Sequence, residues 1–265
     1  MYSGKIIDFH AHIFPDKIAK KATENIGRFY GIEMSGNGSV NALLRSASAF
    51  NVEKFIVHST ATTHRQVNAI NDFIFDEISK ESRFIGFMTL HPDMTKEEID
   101  ETVDLNIARG MKGIKLHPDF QKFHVDDKNA YKIYESAEGK LPILFHAGDS
   151  RYDFSEPKRI ASVARDFPSL TIVAAHLGGY SRWNEVSVYE GLDNVYFDSS
   201  SSSYYVKPEE NAAIIKTLGI DNVFFGTDFP MWDFEGELKR ISSLPLTDGE
   251  LEKIFYKNAE KFLDI

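Results

Sequence analysis

The sequence predicts an α/β protein, a single (β/α)8 TIM barrel spanning residues 1–265, on three observations. Eight short apolar, β-branched or aromatic runs recur along the chain, the segments between them carry apolar residues at helical spacing, and a histidine or aspartate stands at or just past the end of every run. A barrel of this kind takes about 250 residues and places its active site at the C-terminal rim of its strands, so length and polar pattern agree. An open doubly wound sheet would explain the alternation but not polar residues at so many strand ends.

The strand runs are 5–12, 54–58, 84–90, 113–116, 142–146, 171–176, 195–198 and 223–228. Several are nearly continuous apolar stretches, as in Ile172-Val173-Ala174-Ala175, which is the pattern of parallel strands covered on both faces. Between them, Val40, Leu43, Leu44 and Ala47, then Val67, Ile70, Ile74 and Ile78, then Ile160, Val163, Ala164 and Phe167 fall on single helical faces. Start signals agree. Ser39 suits an N-cap, Thr95 with Glu98 and Thr247 with Glu250 read as capping boxes, and Pro157 and Pro208 suit first turns. The long connection from Ile13 to Val40 contains Gly36-Asn37-Gly38 and reads either as a lid over the site or as a surface excursion. The serine run 199–203 reads as loop.

Composition narrows the function classes. Apolar residues make up 42% of the chain, enough for a large core. A formal charge of −10 without a basic cluster argues against nucleic acid as a partner. No apolar run approaches the roughly 20 residues that span a bilayer, so the expectation is a cytoplasmic protein with no membrane partner, acting on a small molecule. With no cysteine, any metal must be held by imidazole and carboxylate.

Seven of the nine histidines (His10, His12, His58, His91, His117, His146 and His176) lie at or just past a strand end, and strands seven and eight end in Asp198 and Asp228. In Asp8-Phe9-His10-Ala11-His12, strand alternation puts His10 and His12 on one face, where two imidazoles can share a metal. A His-x-His pair alone is weak evidence. His146, His176 and Asp228 each end an apolar run beside small residues, and five such coincidences are hard to explain by packing. Lys115 and His117 share a face of strand four. Arg151, in the loop after His146, has the planar fork that suits a substrate carboxylate, although loop arginines are commonly solvated. Phe14 and Trp232 are candidate apolar walls or ordinary packing, His58 and His91 are read as structural or supporting, and Asp198 as orienting His176, binding substrate or capping a loop.

The segments Asp8 to His12, Gly113 to Pro118, His146, His176 to Gly179 and Gly226 to Pro230, taken in order, resemble the amidohydrolase superfamily. Within it they resemble the amidohydrolase-2 group, which includes aminocarboxymuconate-semialdehyde decarboxylase and related nonoxidative decarboxylases and hydrolases. The resemblance implies that His10, His12, His146 and Asp228 ligate a divalent metal, usually zinc, with His176 a catalytic histidine beside it. In binuclear members a strand-four lysine is carbamylated and bridges two metals, so Lys115 is either such a bridging ligand or an ammonium paired with a carboxylate. One metal per chain is the expectation, with two the alternative. His117 and Arg151 are the candidate substrate contacts. Barrels of this group often form dimers, yet no interface is legible here.

The leading chemistry is hydrolysis of an amide, ester or lactone. A metal lowers the pKa of its water, and Asp228 shuttles the proton. The alternative is nonoxidative decarboxylation of an unsaturated or aromatic acid held by the same residues. A TatD-like nuclease also begins with paired histidines and ends with an aspartate on strand eight, but Lys115 to His117 stand where its strand-four glutamate belongs. A noncatalytic metabolite-binding barrel is the remaining reading, disfavoured by a ligand candidate at every strand end.

Overall fold

The computed structural model describes residues 1–265. Its strands are β1 (Ile6–His12), β2 (Val52–His58), β3 (Phe84–Thr89), β4 (Gly113–Leu116), β5 (Ile143–Phe145), β6 (Ile172–Ala174), β7 (Val195–Asp198) and β8 (Val223–Phe224). Its helices are α1 (Asp16–Tyr30), α2 (Val40–Ser46), α3 (Val67–Lys80), α4 (Lys96–Ala108), α5 (Pro118–Gln121), α6 (Lys128–Ala137), α7 (Pro157–Asp166), α8 (Pro208–Leu218), α9 (Phe234–Ser242), α10 (Asp248–Glu252) and α11 (Asn258–Leu263). The sheet runs β1 to β8 in chain order, and the pairings β1 with β2 and β3 through β7 are parallel. This is the (β/α)8 barrel that the sequence predicts. No helix is long and apolar enough to cross a membrane.

Strands 5, 6 and 8 are shorter than their apolar runs. His176 and Asp228 adopt left-handed backbone (φ 60° and 56°), which takes both residues out of the ladder. The sixth crossover is a 3-10 turn, Trp183–Tyr189, rather than an α-helix. The connection from Ile13 to Val40, read from sequence as a lid or an excursion, is mostly helix α1. Its buried stripe is Ala19, Thr23 and Gly27, too small to register as an apolar face. Gly31 ends it in the left-handed conformation (φ 69°), donating its N–H to the Gly27 carbonyl.

Two compact units make up the chain, Met1–His58 with Ser199–Ile265, and Ser59–Asp198. In the first, β1 pairs with β2 on one side. On the other it meets the segment that continues from β8: Phe9 N–H donates to Phe225 C=O at 2.8 Å, Asp228 N–H to His10 C=O at 2.8 Å, and His12 N–H to Phe229 C=O at 2.7 Å. Alternation holds along β1. Phe9 stacks on Phe224 at 4.3 Å and meets Phe262 of α11 edge-on at 5.6 Å, while Asp8, His10 and His12 take the opposite parity. Full burial of such a ring contributes about 1.5–3 kcal/mol.

In the second unit, side-chain amides tie helices to strand ends. The Asn71 amide of α3 accepts from Thr89 N–H at 2.8 Å and donates to Thr89 C=O at 3.0 Å. Gln121 of α5 accepts from His117 N–H at 2.8 Å and donates to the Ala61 and Leu90 carbonyls at 3.0 and 2.7 Å. These amides replace ladder partners where β3 and β4 end, so the loops beyond are anchored from below.

Asp8 is fully buried in the first unit and acts as a clamp. One oxygen accepts from the backbone N–H groups of His10 (3.1 Å) and Thr227 (3.0 Å), the other from the Thr227 hydroxyl (2.7 Å). Removing the carboxylate leaves buried donors unsatisfied, at about 1–3 kcal/mol for each strongly held group. Asp8→Ala is therefore expected to lower unfolding free energy in urea titrations by about 2–4 kcal/mol.

Candidate metal centre

The Asp8 clamp and the Asp228 to His10 backbone bond fix β1 against the β8 segment, and three donor atoms converge above them. His10 Nε2 and His12 Nε2 lie 3.3 Å apart, and Asp228 Oδ1 lies 3.5 Å from each. Bonds of about 2.0–2.2 Å to a common ion separate neighbouring ligands by about 3–3.5 Å, so the triangle has the dimensions and the nitrogen–oxygen chemistry of a divalent-metal shell. His10 Nδ1 sits 3.3 Å from Ser200 Oγ, a contact that selects which ring nitrogen is left for a metal. His58, at the end of β2, joins this group: His10, His12 and His58 each offer a nitrogen within 4.8 Å of the others.

The second unit holds a cluster of buried groups. His146 Nδ1 lies 3.0 Å from His176 Nε2, and His146 Nε2 lies 3.7 Å from Asp119 Oδ2. The His117 ring stacks on His146 at 4.0 Å and on Phe120 at 3.8 Å. Asp119 Oδ2 accepts from Ser155 Oγ–H at 2.7 Å. Burial pushes the Asp119 carboxyl up to about 6, and the neighbouring charge of Asp149 adds to the rise. Lys115, on β4, is fully buried in the same unit. Asp198 Oδ1 accepts from the backbone N–H of His176 at 3.3 Å, holding that residue through its main chain.

The other sequence candidates are placed as follows. Arg151 is bound bidentately by Asp149, with Nε to Oδ1 at 2.9 Å and Nη2 to Oδ2 at 2.5 Å, so a substrate carboxylate would share the guanidinium with that aspartate. Phe14 stacks beside His12 with centroids 6.5 Å apart. Trp232 stacks on Tyr204 at 3.6 Å. His91 is buried, its Nδ1 accepts from Asp93 N–H at 3.2 Å, and burial lowers its pKa.

Four participants escape sequence reasoning. Asp119 sits one residue past His117-Pro118, inside α5, and only the fold brings it to His146. Ser200 and Ser201 belong to the serine run, which is buried loop through Ser201 and then enters a 3-10 turn at Ser202–Tyr204, and the two residues touch His10 and Asp228. Glu237 of α9 is fully buried and accepts from Ser203 Oγ–H at 2.6 Å. The one available signal was the serine run, because five serines in succession after a strand offer hydroxyls without bulk. His176, Ser201 and Asp228 all have positive φ, each costing about 1–3 kcal/mol, and such strain gathers where side chains must be aimed.

A barrel with this donor set is of the metal-enzyme class. The chain belongs to the amidohydrolase family: the amidohydrolase-2 profile, described as Amidohydrolase, matches residues 7–265. No curated relative matches the sequence. Among solved structures, an uncharacterised TIM-barrel protein from Bordetella bronchiseptica is 21% identical with a TM-score of 0.80, covering 98% of each chain. A dihydroxybenzoic acid decarboxylase from Polaromonas, with bound manganese and 2-nitroresorcinol as inhibitor, is 15% identical with a TM-score of 0.73, covering 98% of this chain and 97% of its own. A 5-carboxyvanillate decarboxylase from Sphingomonas paucimobilis is 16% identical with a TM-score of 0.70, covering 98% and 99%. At these identities the likeness is one of fold.

Burial also pushes the Glu237 carboxyl up, to about 8, outweighing the Ser203 hydrogen bond. The folded state binds this proton more tightly than an unfolded chain, whose glutamate titrates near 4.5. The resulting stability is fully present below that value and is lost as pH rises through about 8, at about 1.4 kcal/mol per unit of difference. Glu237→Gln, which keeps shape and hydrogen-bonding capacity, is expected to flatten the decline in unfolding free energy between about pH 5 and pH 8 and to leave the variant more stable than wild type by a few kcal/mol at about pH 9.

Proposed function

We propose that this protein is a metal-dependent nonoxidative decarboxylase of a small hydroxylated aromatic or unsaturated carboxylic acid, with a divalent cation held by His10, His12 and Asp228. The single observation that carries the metal reading is the donor triangle of 3.3, 3.5 and 3.5 Å. His146 is proposed as a further ligand on the family resemblance. Decarboxylation is placed ahead of the hydrolysis favoured by sequence because the Polaromonas and Sphingomonas structures, which resemble the chain over nearly its full length, are of decarboxylases. Amide, ester or lactone hydrolysis is the second reading, supported by the family description. Zinc is the sequence expectation for the cation, and manganese is what the Polaromonas enzyme binds.

A bound divalent cation would supply Lewis-acid polarisation and a fixed positive charge facing the substrate's oxygens. The chain's own residues then handle geometry and protons. In decarboxylation the bond between the carboxyl carbon and the ring or alkene carbon breaks, its electron pair stays on that carbon, carbon dioxide leaves, and a proton is added in its place. Asp228 and His176 are the proposed acid–base groups. Asp228 is nearly buried, so a proton it carries is sheltered from bulk water, and His176 shares a proton site with His146 across 3.0 Å. His117 and Arg151 are retained as proposed substrate contacts, with Arg151 working beside Asp149.

Protein loaded with manganese or zinc is expected to release carbon dioxide from 2,6-dihydroxybenzoate or 5-carboxyvanillate and to lose that activity on chelation. Hydrolysis of lactones or amides without any carbon dioxide release would replace decarboxylation with the second reading. Asp228→Asn is expected to keep the fold by circular dichroism while turnover falls by about 100-fold or more, in the range of a lost acid–base group.

A further inference from the structure

We propose that Ser201 is a positioning residue for the metal centre: its hydroxyl holds one carboxylate oxygen of Asp228 so that the other is presented to His10 and His12. The inference rests on the metal reading above and deepens it. Asp228 Oδ1 is the oxygen 3.5 Å from both imidazole nitrogens, and Asp228 Oδ2 accepts from Ser201 Oγ–H at 2.6 Å. The two oxygens of one carboxylate are thereby assigned to different tasks.

The direction of each bond follows from what the groups can donate. Ser201 has one hydroxyl proton and two neighbours in reach, Asp228 Oδ2 at 2.6 Å and the Met231 thioether at 3.6 Å. A carboxylate is the far stronger acceptor, so the proton points to Asp228. The indole N–H of Trp232 is a donor only, and it meets Ser201 Oγ at 2.9 Å, filling a lone pair. A serine that must accept from Trp232 has its proton left for Asp228 and cannot turn away without breaking both bonds.

The support behind Ser201 is rigid. Trp232 stacks on Tyr204 at 3.6 Å with the rings 14° apart, and the Arg240 guanidinium lies 3.9 Å over the Tyr204 ring. The Ser201 backbone is held in the left-handed region (φ 59°, ψ −13°) by its neighbours: Ser202 N–H donates to Ser200 C=O at 2.7 Å, Ser202 Oγ–H donates to Ser199 C=O at 2.7 Å, and Asn211 donates to Ser202 Oγ at 3.2 Å. Ser201 is 1% exposed, so a water molecule has no open route to replace its hydroxyl. With Oδ2 held here, the oxygen that Asp228 would offer a cation beside His10 and His12 is Oδ1. Losing such an outer partner commonly costs 10- to 100-fold in metal affinity.

The test compares wild type, Ser201→Ala, Trp232→Phe and the double variant, each stripped of metal and titrated calorimetrically with Mn²⁺, then loaded with Co²⁺ for visible absorption. Trp232→Phe keeps the ring stack and removes only the N–H. Ser201→Ala is expected to weaken Mn²⁺ binding by about 10- to 100-fold and to alter the Co²⁺ bands, as a carboxylate free to rotate changes the ligand field. Trp232→Phe is expected to weaken binding by about threefold, the scale of one neutral hydrogen bond acting at one remove, and the double variant should match Ser201→Ala, because Trp232 acts through Ser201. Wild-type affinity and an unchanged Co²⁺ spectrum in Ser201→Ala would overturn the inference even if its melting temperature fell, since a purely structural serine moves stability alone. If Ser201→Ala does not fold, unchanged Mn²⁺ affinity in Trp232→Phe overturns it. A wild-type protein that takes up neither ion overturns the metal reading itself and the inference with it.

Discussion

A buried carboxylate on the first strand carries the interaction that the centre depends on. Asp8 bonds the backbone of its own strand at His10 and, at Thr227, the backbone and side chain of a segment more than 200 residues away in sequence. That pairing sets the register in which Asp228 N–H reaches His10 C=O, and the register places one carboxylate oxygen equidistant from two imidazole nitrogens. A slip of β1 by one residue would turn His10 and His12 to the other face, because side chains alternate along an extended strand. The donor triangle is thus a consequence of backbone hydrogen bonding before it is a property of its three side chains.

Both units bury polar groups that an apolar core would not contain. Lys115, His117, Asp119, His146 and His176 lie inside the second unit, and Glu237 lies beneath the serine loop of the first. Each such group sacrifices hydration, and burial is the largest cause that moves Asp119 and Glu237 toward their neutral forms. Residues in the left-handed region add to this cost at His176, Ser201 and Asp228. Chains keep such features where side chains must point at a ligand, and stability elsewhere offsets them. Here the offset comes from the aromatic packing behind β1 and β8 and from the amide clamps of Asn71 and Gln121.

Family membership and chemistry are different statements. The amidohydrolase-2 profile spans the chain from Ile7 to its end, while identities of 15–21% to solved barrels carry the fold alone. One barrel hosts many reactions, so the reaction has to be argued from donor atoms, their separations and the groups that hold them. The division of the Asp228 carboxylate between two imidazoles and one serine is a feature of that kind.

The barrel was legible because its signals are local. Alternating apolar runs and helical faces, capping boxes at Thr95 and Thr247, and histidines at strand ends can be read within a few residues of one another, and the structure reproduces both capping boxes. The pairing of His10 with His12 was legible for the same reason, since a strand's two-residue period alone puts them on one face. Helix α1 was not, because it buries small residues, and the roles of Asp8, Asp119, Ser201 and Glu237 were not, because each acts on a partner distant in sequence. Sequence by itself determined the alternation of elements and which residue types reach the strand ends. Tertiary structure decided which oxygen of Asp228 faces the histidines, which serine holds the other, and how Arg151 is engaged, because hydrogen bonds between distant residues depend on distances of a few tenths of an ångström that no local pattern encodes.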